Sequence, residues 1–226
     1  MNILVLGRGK TGSLVAQLAQ ERGHAVHTLG SSENPDAVSL TRERLSEVDV
    51  VIDFTSPQAA IANIEACMRA GVNMVVGTTG WYSELDRVRS LVEKSSVGFV
   101  YGSNFSVGVN IFLDVARAAS ASSAHGYFVR IMERHHTGKK DAPSGTALKL
   151  KSLLQRLEGP EIDVTSIREG DTVGQHIILL DSDNDTMMLV HDAKSRRGFA
   201  EGALLAAEWI QVRKGFFEFT EVLKGK

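Results

Sequence analysis

The sequence is poor in cysteine, proline and tryptophan, with one, four and two of them in 226 residues. The single cysteine, Cys67, excludes an intramolecular disulfide; it lies in an apolar helical pattern and reads as a small buried hydrophobe in a reducing compartment. No apolar run approaches bilayer-spanning length, and Met1-Asn2-Ile3-Leu4-Val5-Leu6 lacks the charged start and long apolar centre of a signal peptide. A soluble cytoplasmic protein with no membrane partner is expected. Charge of one sign is also missing. The formal net charge is -2 and no basic run alternates with aromatics, which argues against a nucleic-acid partner. There is no internal repeat and no low-complexity tract. What is left, 43% hydrophobic residues, can bury the core of one large or two small domains and suits a protein that handles a small metabolite.

The densest chemistry lies in Glu133-Arg134-His135-His136-Thr137-Gly138-Lys139-Lys140-Asp141-Ala142-Pro143-Ser144-Gly145-Thr146. Before it, Tyr127 to Met132 is rich in strand formers; after it, Ala147, Leu148, Leu150, Leu153, Leu154 and Leu157 follow helical spacing, so the stretch joins a strand to a helix. Pro143 is placed where that helix begins, with Ser144 or Thr146 as its cap. An uncompensated helix start binds anions, and Gly145 lets a carboxylate approach the backbone. His135, His136 and Lys139 add groups able to give a proton to, or hold charge on, a bound acid. A metal held by His135, His136 and Asp141 is disfavoured, because neighbouring strand residues point to opposite faces.

From the amino terminus, Ile3 to Leu6 reads as a buried strand, followed by Gly7-Arg8-Gly9-Lys10-Thr11-Gly12 and a helical pattern from Leu14. The spacing G-x-G-x-x-G suits a dinucleotide pyrophosphate. A P-loop is excluded because Leu4 stands where its first glycine belongs. After the strand Ala25 to Leu29, the acid that would hold the ribose hydroxyls of NAD is not found; Gly30, Ser31 and Ser32 follow instead. With Arg8 and Lys10 as counter-charges for a 2′-phosphate, NADPH is favoured over NADH. Further strands at Val48 to Phe54, Val72 to Val76 and Val97 to Tyr101 alternate with helices at Ala59 to Ala70 and Ser83 to Lys94. Such alternation builds an α/β doubly wound, Rossmann-type parallel sheet. Its strand-end loops Gly77-Thr78-Thr79 and Gly102-Ser103-Asn104-Phe105 are expected to share a crevice with the glycine turn.

A helix from Val107 to Ala119 leaves this domain, and the pattern changes. Strands at Asp163 to Ile167, Thr172 to Leu180 and Thr186 to Val190, the last two joined by an acidic turn at Asp181 to Asp185, suggest an α+β domain with a mixed sheet. A helix from Phe199 to Ile210 and a strand from Lys214 to Leu223 would return the chain to the first domain, making a hinge for closure over substrate. The division expected is 1–106 with 195–226 for dinucleotide binding, and 107–194 for substrate binding and oligomerisation.

The sequence resembles the 4-hydroxy-tetrahydrodipicolinate (dihydrodipicolinate) reductases. The likeness rests on Glu133 to His136 with Lys139 and Asp141 to Ala147, on Gly77 to Gly80, on Ser103 to Ser106, and on Ser195-Arg196, Phe199-Ala200 and Gly202-Ala203, in order along nearly the whole chain. The resemblance implies that His135 gives or accepts a proton and Lys139 donates one. It also implies that His136 with Ser144, Gly145 and Thr146 holds the carboxylates of a cyclic dicarboxylate. Gly7 to Gly12, Gly77 to Thr79 and Gly102 to Phe105 would bind NADPH or NADH, no metal would be needed, and the enzyme would be a homotetramer. Three departures stand out: a short glycine turn, the missing ribose acid and a short chain. Another two-domain NADP-linked reductase, or a module that only senses NADP, would account for the first domain but not for the His-His block.

Overall fold

A computed structural model describes residues 1–155 and 161–225. In chain order the elements are β1 (Asn2–Leu6), α1 (Lys10–Glu21), β2 (Ala25–Leu29), α2 (Arg42–Leu45), β3 (Val50–Asp53), α3 (Pro57–Ala70), β4 (Asn73–Val76), α4 (Leu85–Glu93), β5 (Gly98–Tyr101) and α5 (Val107–Ala119). There follow β6 (Phe128–His135), α6 (Gly145–Leu154), β7 (Asp163–Arg168), β8 (Gln175–Asp181), β9 (Thr186–Asp192), α7 (Arg197–Ile210), β10 (Gly215–Glu218) and α8 (Phe219–Leu223). The chain divides into two compact units, Met1–Val107 with Arg197–Lys226, and Gly108–Arg196.

The first unit is the doubly wound α/β sheet that the β–α alternation predicts, six parallel strands in the order β10-β5-β4-β3-β1-β2. Its strands are apolar on both sides because both faces are covered. Leu4, Leu6, Val51, Met74 and Val76 pack with α3 and α4 residues such as Ile64 and Val88. Their neighbours Ile3, Val5, Val50, Ile52 and Val75 pack on the opposite face with α1 and α7, through Val15, Leu18, Ala203 and Ala207. Small residues let α7 come close: a methyl group at Gly202 would fall 1.7 Å from the Phe105 carbonyl oxygen. The strand order reverses between β1 and β3, and their carboxyl ends carry the glycine turn and Phe54-Thr55. Ligands of such sheets bind at that reversal.

The second unit holds a mixed four-stranded sheet in the order β7-β6-β8-β9, with β6 and β7 parallel and the other pairs antiparallel. Alternation gives β6 two characters. Ile131, Ile178 and Leu180 pack against Phe112, Leu113, Leu150 and Leu154. The other face leaves Phe128, Met188 and Val190 63%, 61% and 51% exposed. It also leaves Met132 exposed, its cross-strand neighbours being Ile177 and then Val190.

Three local expectations need correction. The strand before the histidines runs on to His135, so that residue sits on a strand end and not in a loop. Pro143 precedes the helix cap instead of opening the helix; Ser144 is the cap and Gly145 the first helical residue. The expected last strand divides after Glu218, where reciprocal bonds between Glu218 and Glu221 start α8. Leu157, expected to continue α6, lies outside the described residues.

Candidate active site

In the first unit the glycine turn is shaped by backbone contact. Gly7 has φ +95, and a Cβ there would lie 2.2 Å from the Phe54 carbonyl oxygen; one on Gly12 would lie 2.0 Å from the Gly7 carbonyl oxygen. A Cβ on Gly9 would meet nothing within 4 Å. Gly9 caps α1 without any side-chain bond, so the first amides of this 12-residue helix, those of Lys10, Thr11 and Gly12, are open to an anion. They border a hollow of about 300 Å³ that also takes in Phe54, Thr55, Pro57, Gly77, Thr78 and Thr79. A second hollow of about 400 Å³ includes Gly7, Arg8, Gly30, Ser31, Asn34 and Asp36. Gly7 to Gly12 and Gly77 to Thr79 are therefore brought together. An uncapped helix start of this kind can take a pyrophosphate.

Two residues of the expected set turn inward. Phe105 is buried and packs edge-on to Phe54 and tilted on Phe219, while Ser103 is exposed beside it. Asn104 accepts from the Ser106 amide, and Gly102 donates to the Val76 carbonyl. Thr78 is also buried: its hydroxyl donates to Asp53 at 2.6 Å and accepts from the Thr55 amide at 2.8 Å. Asp53 is fully buried, and burial pushes its carboxyl up against the pull of Thr78, Thr55 and Asn63. Asn63 donates to Asp53 and accepts from Asn34, so one chain of bonds ties the Thr78 loop to the segment after β2. An acid closing the apolar run Val50-Val51-Ile52 was the available signal for it.

An acid does reach the end of β2, from three residues beyond Gly30. Glu33 folds back, accepting from the Gly30 amide at 2.7 Å and pairing with Arg8 at 2.7 Å. The Gly30 amide holds its carboxyl below the usual range, with Arg8 adding to the effect. Arg8, expected as a counter-charge for a 2′-phosphate, is thus already engaged, also through Thr28. Lys10 is exposed at the start of α1.

In the second unit the His-His stretch forms a compact polar site. His135 closes β6, and the chain turns at once, the Lys139 amide donating to the His136 carbonyl. Lys139 Nζ lies 2.8 Å from Asp141 Oδ1. Ser144 is buried: its hydroxyl accepts from the Ala147 amide and meets His176 Nε2 at 3.0 Å. Gly145 and Thr146 are the first two residues of α6, whose amides have no partner within the helix. His136 is half-buried one residue past the strand. His135, Lys139 and the start of α6 are all anchored to one another through Glu133, Arg168 and Asp141.

Glu133 and Arg168 carry that anchoring, and no role was read for them from sequence. Burial opposes ionisation of Glu133, but Arg168, Ser166 and His135 outweigh it and hold the carboxyl at about 2. Burial lowers the His135 imidazole, with Glu133 pulling the other way. His176, buried edge-on to His135 at 5.3 Å, is pushed down to about 4 by burial and stays neutral. Among the described residues no group of three or more His, Cys, Asp or Glu side chains is placed to hold a metal. Nor is any described helix long and apolar enough to cross a membrane.

Comparison with known proteins bears on both units. Residues 1–105 match the family model described as dihydrodipicolinate reductase, N-terminus, and residues 108–223 the one described as dihydrodipicolinate reductase, C-terminus. A 4-hydroxy-tetrahydrodipicolinate reductase of Christiangramia forsetii is 36% identical across 99% of this chain and 98% of its own. One of Methanosarcina barkeri is 37% identical across 79% of this chain and 74% of its own. Among solved structures, a dipicolinate-bound dihydrodipicolinate reductase from Paenisporosarcina sp. TG-14 shares the fold. It has a TM-score of 0.77 and 23% identity, over 98% of both chains.

Proposed function

The chain belongs to the dihydrodipicolinate reductase family, and from that premise we propose that it reduces 4-hydroxy-tetrahydrodipicolinate to tetrahydrodipicolinate with NADPH or NADH and loss of water. The step belongs to lysine and diaminopimelate biosynthesis. The observation that carries the proposal is a single turn that holds an imidazole on an ionised carboxylate, an ammonium and a helix start capped by Ser144. That set suits an anionic ring that must gain a proton.

The cofactor is assigned to residues 1–106 with 195–226. The amides of Lys10 to Gly12 take the pyrophosphate, with Gly77 to Thr79 and Gly102 to Phe105 bordering the nicotinamide side. Bound there, the reduced nicotinamide supplies a hydride to the ring. Residues 107–194 take the substrate. His136 and the amides of Gly145 and Thr146 hold the carboxylates, and Ser144 supports them as the cap. Lys139, an ammonium, donates the proton that completes the reduction. His135 is held neutral with its Nδ1 hydrogen on Glu133, so its Nε2 accepts and returns protons. The test follows loss of NADPH and of NADH absorbance on enzymatically generated substrate. Turnover with neither would sink the proposal, and tight cofactor binding without turnover would favour a sensing module.

A homotetramer is assigned to the bare face of the second sheet, where Phe128, Met132, Met188 and Val190 form an apolar patch. Light scattering should report four chains per particle, and Met188→Glu should give smaller particles. A wild-type monomer would refute it.

A further inference from the structure

Glu133 lies two residues before His135 on β6, so both point to the same side of the sheet. That side is otherwise apolar near the strand centre, with Ile131 and Ile178 buried. A carboxylate there is strongly disfavoured unless each oxygen is matched. Both are. Oε1 accepts from Arg168 Nη2 at 2.7 Å and from the Ser144 amide at 3.2 Å. Oε2 accepts from Arg168 Nη1 at 3.0 Å and from His135 Nδ1. The same guanidinium also donates to the Asp141 carbonyl at 2.6 Å, and Asp141 pairs with Lys139.

Resting on the proton-handling reading of His135, we propose that Glu133, clamped by Arg168, is the positioning residue of the site, fixing His135 with its hydrogen on Nδ1 and its Nε2 bare while pinning the α6 start. An ionised carboxylate only accepts, so the hydrogen between it and His135 belongs to Nδ1. The bare Nε2 then lies beside Gly174, where a Cβ would come within 2.9 Å of it. The groups facing His135 are Glu133, Arg168, Lys139 and His176, and of these only Glu133 can accept from it at Nδ1. One carboxylate therefore sets two things at once: which ring nitrogen meets the substrate, and where the carboxylate-binding amides begin.

A purely structural ion pair would cost stability when broken but would leave the tautomer and turnover of the folded fraction alone. The discriminating experiment is long-range ¹H–¹⁵N correlation NMR on the full chain labelled with ¹⁵N-histidine, near neutral pH. The His135 signals are identified by their loss in His135→Gln. The wild type should show the Nδ1–H tautomer. In Glu133→Gln, whose amide donates where the carboxylate accepted, the hydrogen should move to Nε2. kcat should then fall roughly 100-fold or more, as when an orienting carboxylate of a catalytic histidine becomes an amide. The KM for NAD(P)H should stay within about two-fold. A wild-type Nε2–H tautomer, or Glu133→Gln with normal turnover, overturns the proposal. The wild-type spectrum decides even if the variant does not fold. Near-normal turnover of His135→Gln would instead remove the proton role of His135, while the tautomer would still report on Glu133.

Discussion

The two units build their candidate sites from different materials. In the first, the surface offered to a ligand is backbone: an uncapped helix start, and a Gly9 with empty space above it. In the second it is side chains, His135 and Lys139, each held by a carboxylate, with Arg168 bonded to the Glu133 carboxylate and to the backbone carbonyl of Asp141. A backbone site tolerates changes in side chains but not in the glycines that shape it. A side-chain site depends on single atoms and fails one residue at a time. The largest effect should therefore come from the second unit. Lys139→Ala is expected to lower kcat by roughly 10²–10⁴, the usual range for a positioned proton donor, with cofactor KM nearly unchanged. Steady-state NADPH oxidation on generated substrate measures both, and near-normal turnover would remove Lys139 from the chemistry.

The first unit is broken through its glycines. Gly12→Ala places a methyl group 2.0 Å from the Gly7 carbonyl oxygen, so the turn has to shift. Loss of about 1–3 kcal/mol of stability is expected, together with at least about ten-fold weaker NADPH binding. Gly9→Ala meets nothing within 4 Å and should leave thermal unfolding close to wild type while still weakening the cofactor. Fluorescence titration beside a melting curve separates the two effects. Equal losses of stability in both variants would mean that Gly9 is there for the fold and not for the ligand.

The same contrast explains what could be read from the sequence. Much of the local structure was legible: the strand–glycine–helix start, the β–α alternation to β5, α5 from Val107 to Ala119, and the hairpin turn before Thr186. Each is fixed by periodicity and neighbouring residues. Glu33 was missed because it reaches the end of β2 only by folding back onto the Gly30 amide. Arg168 and His176 were missed because they reach Glu133 and Ser144 through strand pairing across 35 and 32 residues, which no local pattern encodes. The tail Phe216 to Leu223 fits strand and helix spacing alike; the Glu218 and Glu221 capping pair decides it.

Acid should separate the units again, because only the second buries a histidine cluster on its sheet. His176 has its folded pKa lowered to about 4 from an ordinary value of 6.5, so its contribution to stability is complete above 6.5 and is lost as pH falls through 4. Glu133, lowered to about 2 from 4.5, contributes fully above 4.5 and is lost on the way down to 2. The signs agree. Stability in urea should decline below about pH 6.5, and His176→Asn should flatten the upper part of that decline. An unchanged slope in the variant would show that His176 does not drive it.

The smallest effect returns to the first unit, at the one place where its site does rely on charged side chains. Arg8 and Glu33 are 51% and 43% exposed, so solvent screens their ion pair, and Glu33→Gln should leave the unfolding curve close to wild type. Its effect should fall on the choice of cofactor. Glu33 is bonded to Arg8 and Gly30, both of which line the second hollow; a carboxylate next to a bound adenosine ribose would accept from its hydroxyls and repel a 2′-phosphate, and here it keeps Arg8 occupied. Glutamine removes the repulsion and frees the guanidinium. The ratio of kcat/KM for NADPH over NADH should rise by about three- to ten-fold, through KM and not kcat, because neither residue lies in the unit that handles the proton. A ratio that stays fixed would place the ribose away from Glu33, and it would return Arg8 to the role of an ordinary surface pair.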